Sequence, residues 1–488
     1  LARLRRAARD RLGGSGLPGT TTGAVFAADL LCWLTSRFPG QLTIDWPNFE
    51  EPDRLDPVLR HALSRAEQDA FDGGLLSTRD WVRIAAGPPA GELSWLCAQR
   101  PSADSAGRLW AHQLDALELP VRWRLTKAHG SVTTLRWNQA PMASRGIGLR
   151  RTSGAPTRWI GQPLEDLVLL TPEVATAAIG VSRAALAMRG REVHAITAAN
   201  PDEVYLADLG EGVSAVIMGA RLDARMSLEA NYGYVLFGNG VPIGYGGVTP
   251  LFHQANTGLH IFSAFRGGEA GAIYLQLLRA FRTLFGVSLF LLNPIQVGEE
   301  NEEALASGAF WFYHRLGFRP VDPGLRALAG TELGRRRTNP RYRTDRAALV
   351  RLGEGDLVLS LPGTPHRLFQ ERWLHELSLA VTRSLATGDG PRRNRIRQLT
   401  THLASALGVR SRARWKPEER DAFTQLAPLL SLLDLKTWPA SHRRALIGII
   451  RAKGAPQERG FVSACQRFPR LRVELEALAR RSPDAGRT

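Results

Sequence analysis

Residues 287–292, Val-Ser-Leu-Phe-Leu-Leu, are apolar but for Ser288, the pattern of a strand buried on both faces. Such a strand needs helices covering its sheet, and the flanking sequence supplies them. From 269 to 285 a helical pattern turns Leu275, Leu277, Leu278, Phe281 and Leu284 inward. A second helix covers 304–316 and stops at Gly317. Upstream, a helix over 172–191 has Thr171 as its N-cap, and strand runs occupy 212–218, 232–237, 241–248 and 259–265. Gly238-Asn239-Gly240, between two of those runs, is the strongest hairpin signal in the chain. The fold class that follows is α/β (α+β), with a central mixed β-sheet flanked by helices.

The 488 residues, at roughly 150 per domain, amount to about three domains. Aromatic usage divides them. Eight of the twelve Trp precede residue 160, and all seven Tyr lie between Tyr205 and Tyr342. Residues 1–160 read as a mixed, Trp-rich N-terminal domain, with a helix over 57–71 and a hairpin over 119–137 that turns at Gly130. Its tryptophans fit core packing better than ligand stacking. Residues 13–23, GGSGLPGTTTG, have the composition of a phosphate loop but neither a lysine nor a preceding strand, and read as a flexible joint. The central α/β domain spans 161–333, and a basic connector follows over 334–351. The C-terminal domain, 352–488, is all helical, with helices at 370–386, 392–407, 417–433, 441–453 and 471–481.

Hydrophobic residues are 44% and charged residues 22%, which excludes wholesale disorder. The net charge of +17 comes from 63 basic residues, of which only Lys127, Lys416, Lys436 and Lys453 are lysine. Arginine has replaced lysine throughout, so the charge argues only weakly for nucleic acid. Arg335, Arg336, Arg337, Arg341 and Arg343 keep that as a weaker alternative. Cys32, Cys97 and Cys465 are odd in number and far apart, with no metal-ligand spacing, so a reducing cytoplasm is expected. The first twelve residues are basic but are followed by no signal-peptide h-region, and no run is long enough to cross a bilayer. No membrane association is expected.

The chemistry gathers at the turn between strand 259–265 and helix 269–285. A helix N-terminus presents unpaired N–H groups and a partial positive charge to an anion. Gly267 and Gly268 let backbone approach a diphosphate, and Arg266 adds a cation. No Walker lysine follows, and the glycine spacing is not that of a dinucleotide fold. After the buried strand comes Phe310-Trp311-Phe312-Tyr313-His314-Arg315-Leu316-Gly317-Phe318.

That FY-x-x-LGF ending, behind the Arg-Gly-Gly turn and the strands of GYVLFGNGVPIGYGGV, resembles the GNAT superfamily of acyl-CoA-dependent N-acyltransferases. The similarity covers about 215–325, with looser support back to 165. The resemblance implies a GNAT-like central domain that binds acetyl-CoA or another acyl-CoA as co-substrate and passes the acyl group to an amine acceptor by direct attack. It places Phe262, Ser263, Arg266, Gly267, Gly268, Glu269, Ala270, Gly271 and Asn301 at the cofactor. Tyr313 falls at the position of the acid that protonates the departing thiolate, and His260 is our candidate base because it lies on the strand before the turn. Glu269 stands where the family usually has glycine. An alternative is therefore a non-catalytic binding protein or scaffold on the same fold. The cluster Glu299, Glu300, Glu302 and Glu303 reads as a solvated loop and helix start.

Overall fold

The computed structural model describes residues 12–87, 91–102, 104–127, 130–144, 156–364, 367–386 and 390–481. The basic opening at 1–11 lies outside them. The chain is a mixed α/β protein organised as two units. One comprises Leu1–Gln139, Glu173–Ala198 and Gly240–Pro242; the other comprises Ala140–Pro172, Ala199–Asn239 and Ile243–Thr488.

The first unit holds a small antiparallel sheet of β1 (Thr21–Val25), β2 (Leu42–Ile44) and β3 (Pro120–Arg124), in the order β1-β3-β2. Strand alternation sends Val121 and Trp123 into the core and Arg122 and Arg124 outward. The core is shared with α1 (Ala28–Arg37), α2 (Asp104–Ala116) and the end of α3 (Pro172–Ala187). Trp110 and Trp123 are fully buried, as packing residues should be. Three local expectations change. The helix over 57–71 is two helices, Asp56–Leu59 and Arg65–Asp72, because Ser64 and Glu67 form a capping box that starts the second one. The hairpin over 119–137 is absent: β3 pairs with β1 and β2 instead, and Thr126–Gly130 is an isolated bridge. Residues 13–23 lead directly into a strand rather than forming a flexible joint.

The second unit is built on β4 (Leu167–Leu169), β5 (Ala199–Gly210), β6 (Val213–Ala220), β7 (Tyr232–Gly238), β8 (Val241–Leu251), β9 (Gln254–Thr257), β10 (His260–Ile261), β11 (Leu289–Leu292), β12 (Arg319–Pro320) and β13 (Leu357–Ser360). Their order is β12-β13-β11-β9-β8-β7-β6-β5-β4, with β10 also on β8. The β9–β11 ladder is parallel. Across the sheet packs α4 (Ala270–Phe285), whose Tyr274, Leu277, Leu278 and Phe281 are wholly buried. The helix expected over 304–316 is split into α5 (Glu302–Ser307) and α6 (Ala309–Arg315), because Gly308 between them takes φ +68°.

The basic connector is not a linker. Its first residues are the last turn of α7 (Pro323–Thr338), where arginines complement the helix dipole, and its end is α8 (Arg346–Leu352). Arg335 donates to Glu332 at 2.8 Å, and Arg336 lies 4.7 Å from the Trp311 ring centroid. The C-terminal helices are α9 (Glu371–Ala386), α10 (Arg392–Leu407), α11 (Pro417–Leu430), α12 (Ala440–Lys453), α13 (Arg459–Gln466) and α14 (Pro469–Arg480). They share a core with Leu251 and Phe252 at the end of β8. Among the described residues, no helix is long and apolar enough to cross a membrane.

Candidate functional site

The parallel pair at the middle of the large sheet parts abruptly. β11 accompanies β9 only from Leu289 opposite Gln254 to Leu291 opposite Asn256. The other strand continues along β8 at unchanged register, Thr257 opposite Val248 and His260 opposite Tyr245. Two glycines make the divergence possible. The Tyr234 hydroxyl donates to the Gly258 carbonyl, through space that a Cβ on Gly246 would fill, since it would lie 2.4 Å from both atoms. On the side vacated by β11, a Cβ on Gly258 would lie 2.4 Å from the Gln296 side-chain oxygen.

Polar groups collect beside this notch. Leu259 and Ile261 pack into the same apolar cluster as Tyr313, and burial pushes the Tyr313 phenol far above the ordinary tyrosine value. Thr257 Oγ1 and the Tyr274 hydroxyl are buried facing one another with no other partner, and Asn293 Oδ1, just past β11, is buried without a hydrogen-bond partner. The Tyr274 and Tyr313 rings meet edge to face at 5.6 Å. The carboxyl ends of parallel strands, where neighbours diverge, are where α/β sheets place ligands. A buried acceptor without a donor at such a place, as Asn293 Oδ1 is, leaves a hydrogen bond open to a ligand or water. Thr257, Tyr274, Asn293 and Gln296 were not singled out in the sequence. The Asn293-Pro294 step after the apolar strand was the available signal.

The turn follows the strand as expected, with a shorter strand. β10 ends at Ile261, and the Phe262 N–H adds one more bond, to the Ile243 carbonyl at 3.0 Å. Ser263 begins a single 3-10 turn, and residues 263–268 are exposed. Arg266 is committed elsewhere: its Nε donates to the Ile261 carbonyl at 3.1 Å, and its terminal nitrogen pairs with Glu303. A Cβ on Gly267 would meet nothing within 4 Å, so the backbone there is open to approach. Glu269 is the half-buried N-cap of α4 and makes no side-chain cap bond. Ala270 and Gly271 form the first turn, and Gly271 packs under Leu316, with 3.3 Å from its notional Cβ to Leu316 Cδ2. Asn301 does a structural job. Its side-chain oxygen accepts the Ala304 N–H at 3.0 Å, its amide donates to the Ile295 carbonyl at 2.9 Å, and it thereby caps α5. The acidic cluster is likewise tied down in part, Glu302 taking a bidentate contact from Arg346.

The two catalytic candidates are not brought together. Leu259 and Ile261 pack into the cluster that contains Tyr313. His260, one residue out of phase, falls on the other side of the strand. Its ring lies 4.9 Å from Tyr245 and 6.3 Å from Phe262. The base and the acid inferred from sequence therefore face opposite sides of one strand.

Two features bear on whether a CoA thioester suits these residues: the turn is exposed with open backbone at Gly267, and Asn293 Oδ1 past the strand divergence is a buried acceptor without a donor. Against them, Arg266 is engaged by Glu303 and Tyr313 is buried. Comparison with protein-family models, with curated protein sequences and with solved structures gives no match.

Proposed function

We propose that the central domain is an acyl-CoA-dependent N-acyltransferase, acting on an amine of unknown identity. The observation that carries this reading is the parting of β9 and β11 next to the apolar cluster that contains Tyr313, followed by a glycine turn and a long helix. Backbone amides of Gly267, Gly268, Glu269, Ala270 and Gly271 would hold the diphosphate, and the notch would receive the thioester end. When bound, acyl-CoA supplies the activated acyl group. Tyr313 keeps its proton through the whole neutral range, because its surroundings disfavour the phenolate. It is thus suited to donating that proton to a departing sulfur. The rings of Tyr274 and Phe318, at 5.6 and 5.8 Å, hold the phenol ring in place.

A second reading draws support from one contact and one buried side chain. Arg266 is engaged by Glu303, and Tyr313 is only 3% exposed. Both suit a protein that binds a ligand or partner with this fold and does no chemistry.

Calorimetric titration of the full chain with CoA and acetyl-CoA, alongside mass spectrometry of product with an amine panel, separates the readings. Binding of CoA that Gly268→Glu abolishes is expected. A full chain that is folded and gives no heat with millimolar CoA overturns the transferase. Tight CoA binding with no acetyl transfer or thioester hydrolysis favours the second reading.

A further inference from the structure

A cavity of about 770 Å³ lies on the outward face of the small N-terminal sheet, lined by none of the residues of the candidate site described above. Thr21, Gly23, Asp45, Arg122, Arg124 and Lys127 are among its lining residues. The register explains the assembly. Arg122 and Arg124 stand two apart on β3 and share its solvent face, with Gly23 and Thr21 directly opposite on β1. A Cβ on Gly23 would meet nothing within 4 Å, so the strand edge beside Arg122 is bare. The glycine-rich loop is held in place at two interior points. Gly19 N–H donates to the Leu125 carbonyl at 2.8 Å, and at Gly16, with φ +79°, a Cβ would fall 2.3 Å from Val132.

The charges in the cavity are unbalanced. Among the described residues, Arg124 and Lys127 have no side-chain partner. Asp45 is only 5% exposed; its Oδ2 accepts the Asn48 amide at 2.8 Å and lies 3.7 Å from Arg122 Nε. Its Oδ1 is buried with no partner. A buried carboxylate oxygen without a donor is costly, and an incoming O–H or N–H removes that cost. The cations call for an anion with several oxygens, for which arginine forks are suited. No lining residue is aromatic, so a nucleobase would find nothing to stack on. The volume falls in the range of small-molecule sites and is far larger than a bare phosphate needs.

We propose that this cavity binds the phosphate ester of a polyhydroxy compound, a sugar phosphate in chemical class, with the phosphate on Arg122, Arg124 and Lys127 and a hydroxyl on the Asp45 carboxylate.

The test is calorimetry on the full chain at low salt with ribose 5-phosphate, inorganic phosphate, ribose and AMP. Ribose 5-phosphate should bind about tenfold more tightly than inorganic phosphate, the ratio that one charge-assisted hydrogen bond supports. Ribose alone should give no heat. Arg124→Ala, on an exposed strand face, should weaken both phosphate probes about tenfold. Asp45→Asn should erase the advantage of ribose 5-phosphate, with circular dichroism confirming the fold. Gly268→Glu should leave this binding intact and Arg124→Ala should leave CoA binding intact, which keeps the two sites apart. No heat with either phosphate probe at millimolar concentration overturns the site. Equal affinity of wild type and Arg124→Ala overturns its location, and AMP binding without ribose 5-phosphate binding overturns the ligand class.

Discussion

The Tyr232 hydroxyl donates to Glu203 Oε1 at 2.6 Å, and neither side chain is open to solvent. The same oxygen accepts the Arg459 N–H at 2.9 Å, which joins β5 and β7 to the start of α13. Arg225, 3.7 Å from Glu203, spends its guanidinium on the carbonyls of Lys453, Ala455 and Pro456. Lys453 then pairs with the fully buried Glu458. Charges taken out of water in this way must all be matched, and removing one leaves its partner stranded. Lys453→Met is therefore expected to lower the stability of this unit by about 3–5 kcal/mol. Lys453→Met with Glu458→Leu should recover most of that loss. Urea unfolding followed by tryptophan fluorescence checks it: a double variant as weak as the single one would show that the pair is not the source.

Arg266 and Glu303 present the opposite case, being 42% and 51% exposed. A surface pair of this kind contributes little stability, so Glu303→Gln should shift unfolding by no more than about 0.5 kcal/mol. Its effect should fall on the turn. With its carboxylate gone, the guanidinium is released toward the open backbone at Gly267, and CoA affinity should rise by about threefold to tenfold. Titration calorimetry on the two proteins decides it. A fall in affinity would mean that Glu303, rather than Arg266, faces the ligand.

The order of strands around Gly238-Asn239-Gly240 was legible because the turn dictates a hairpin whatever surrounds it. α4 was legible because its apolar residues recur at helical spacing. By contrast, β9, at Gln254–Thr257, carries no apolar alternation and exists because β8 and β11 flank it. The notch was illegible for the same reason: Thr257, Tyr274 and Asn293 are far apart in sequence and meet only through the divergence of two strands. Tyr313 was found by its motif, yet nothing in the motif reveals that His260 sits on the wrong side of the strand. Arg266 looked like a free cation because its partner, Glu303, belongs to a different segment.

If Tyr313 donates a proton, Tyr313→Phe should lower kcat by about a hundredfold while KM for acetyl-CoA changes little. The substitution alters a buried side chain, so circular dichroism must show an unchanged fold. The wild-type kcat should show no alkaline fall through the ordinary tyrosine range, since the phenol titrates well above it. Equal kcat values for Tyr313→Phe and wild type would remove the assignment.

His314, next to Tyr313, supplies a pH dependence of opposite sign to that of a salt-bridged histidine. Burial lowers its value to about 4, with Arg319 and Arg336 adding repulsion. Its ring is packed against Phe310 and Trp311 at 5.8 and 5.2 Å, so an imidazolium would be both desolvated and crowded by cations. Above the unfolded value of 6.5, histidine is neutral in both states and costs nothing. Between 6.5 and about 4 the unfolded chain takes up a proton that the native protein refuses, so stability falls with pH in that window. His314→Gln should remove this part of the slope, and the variant should lose less Tm than the wild type between pH 7 and pH 5. Thermal unfolding of both proteins across that range tests it, and equal losses would show that His314 titrates normally.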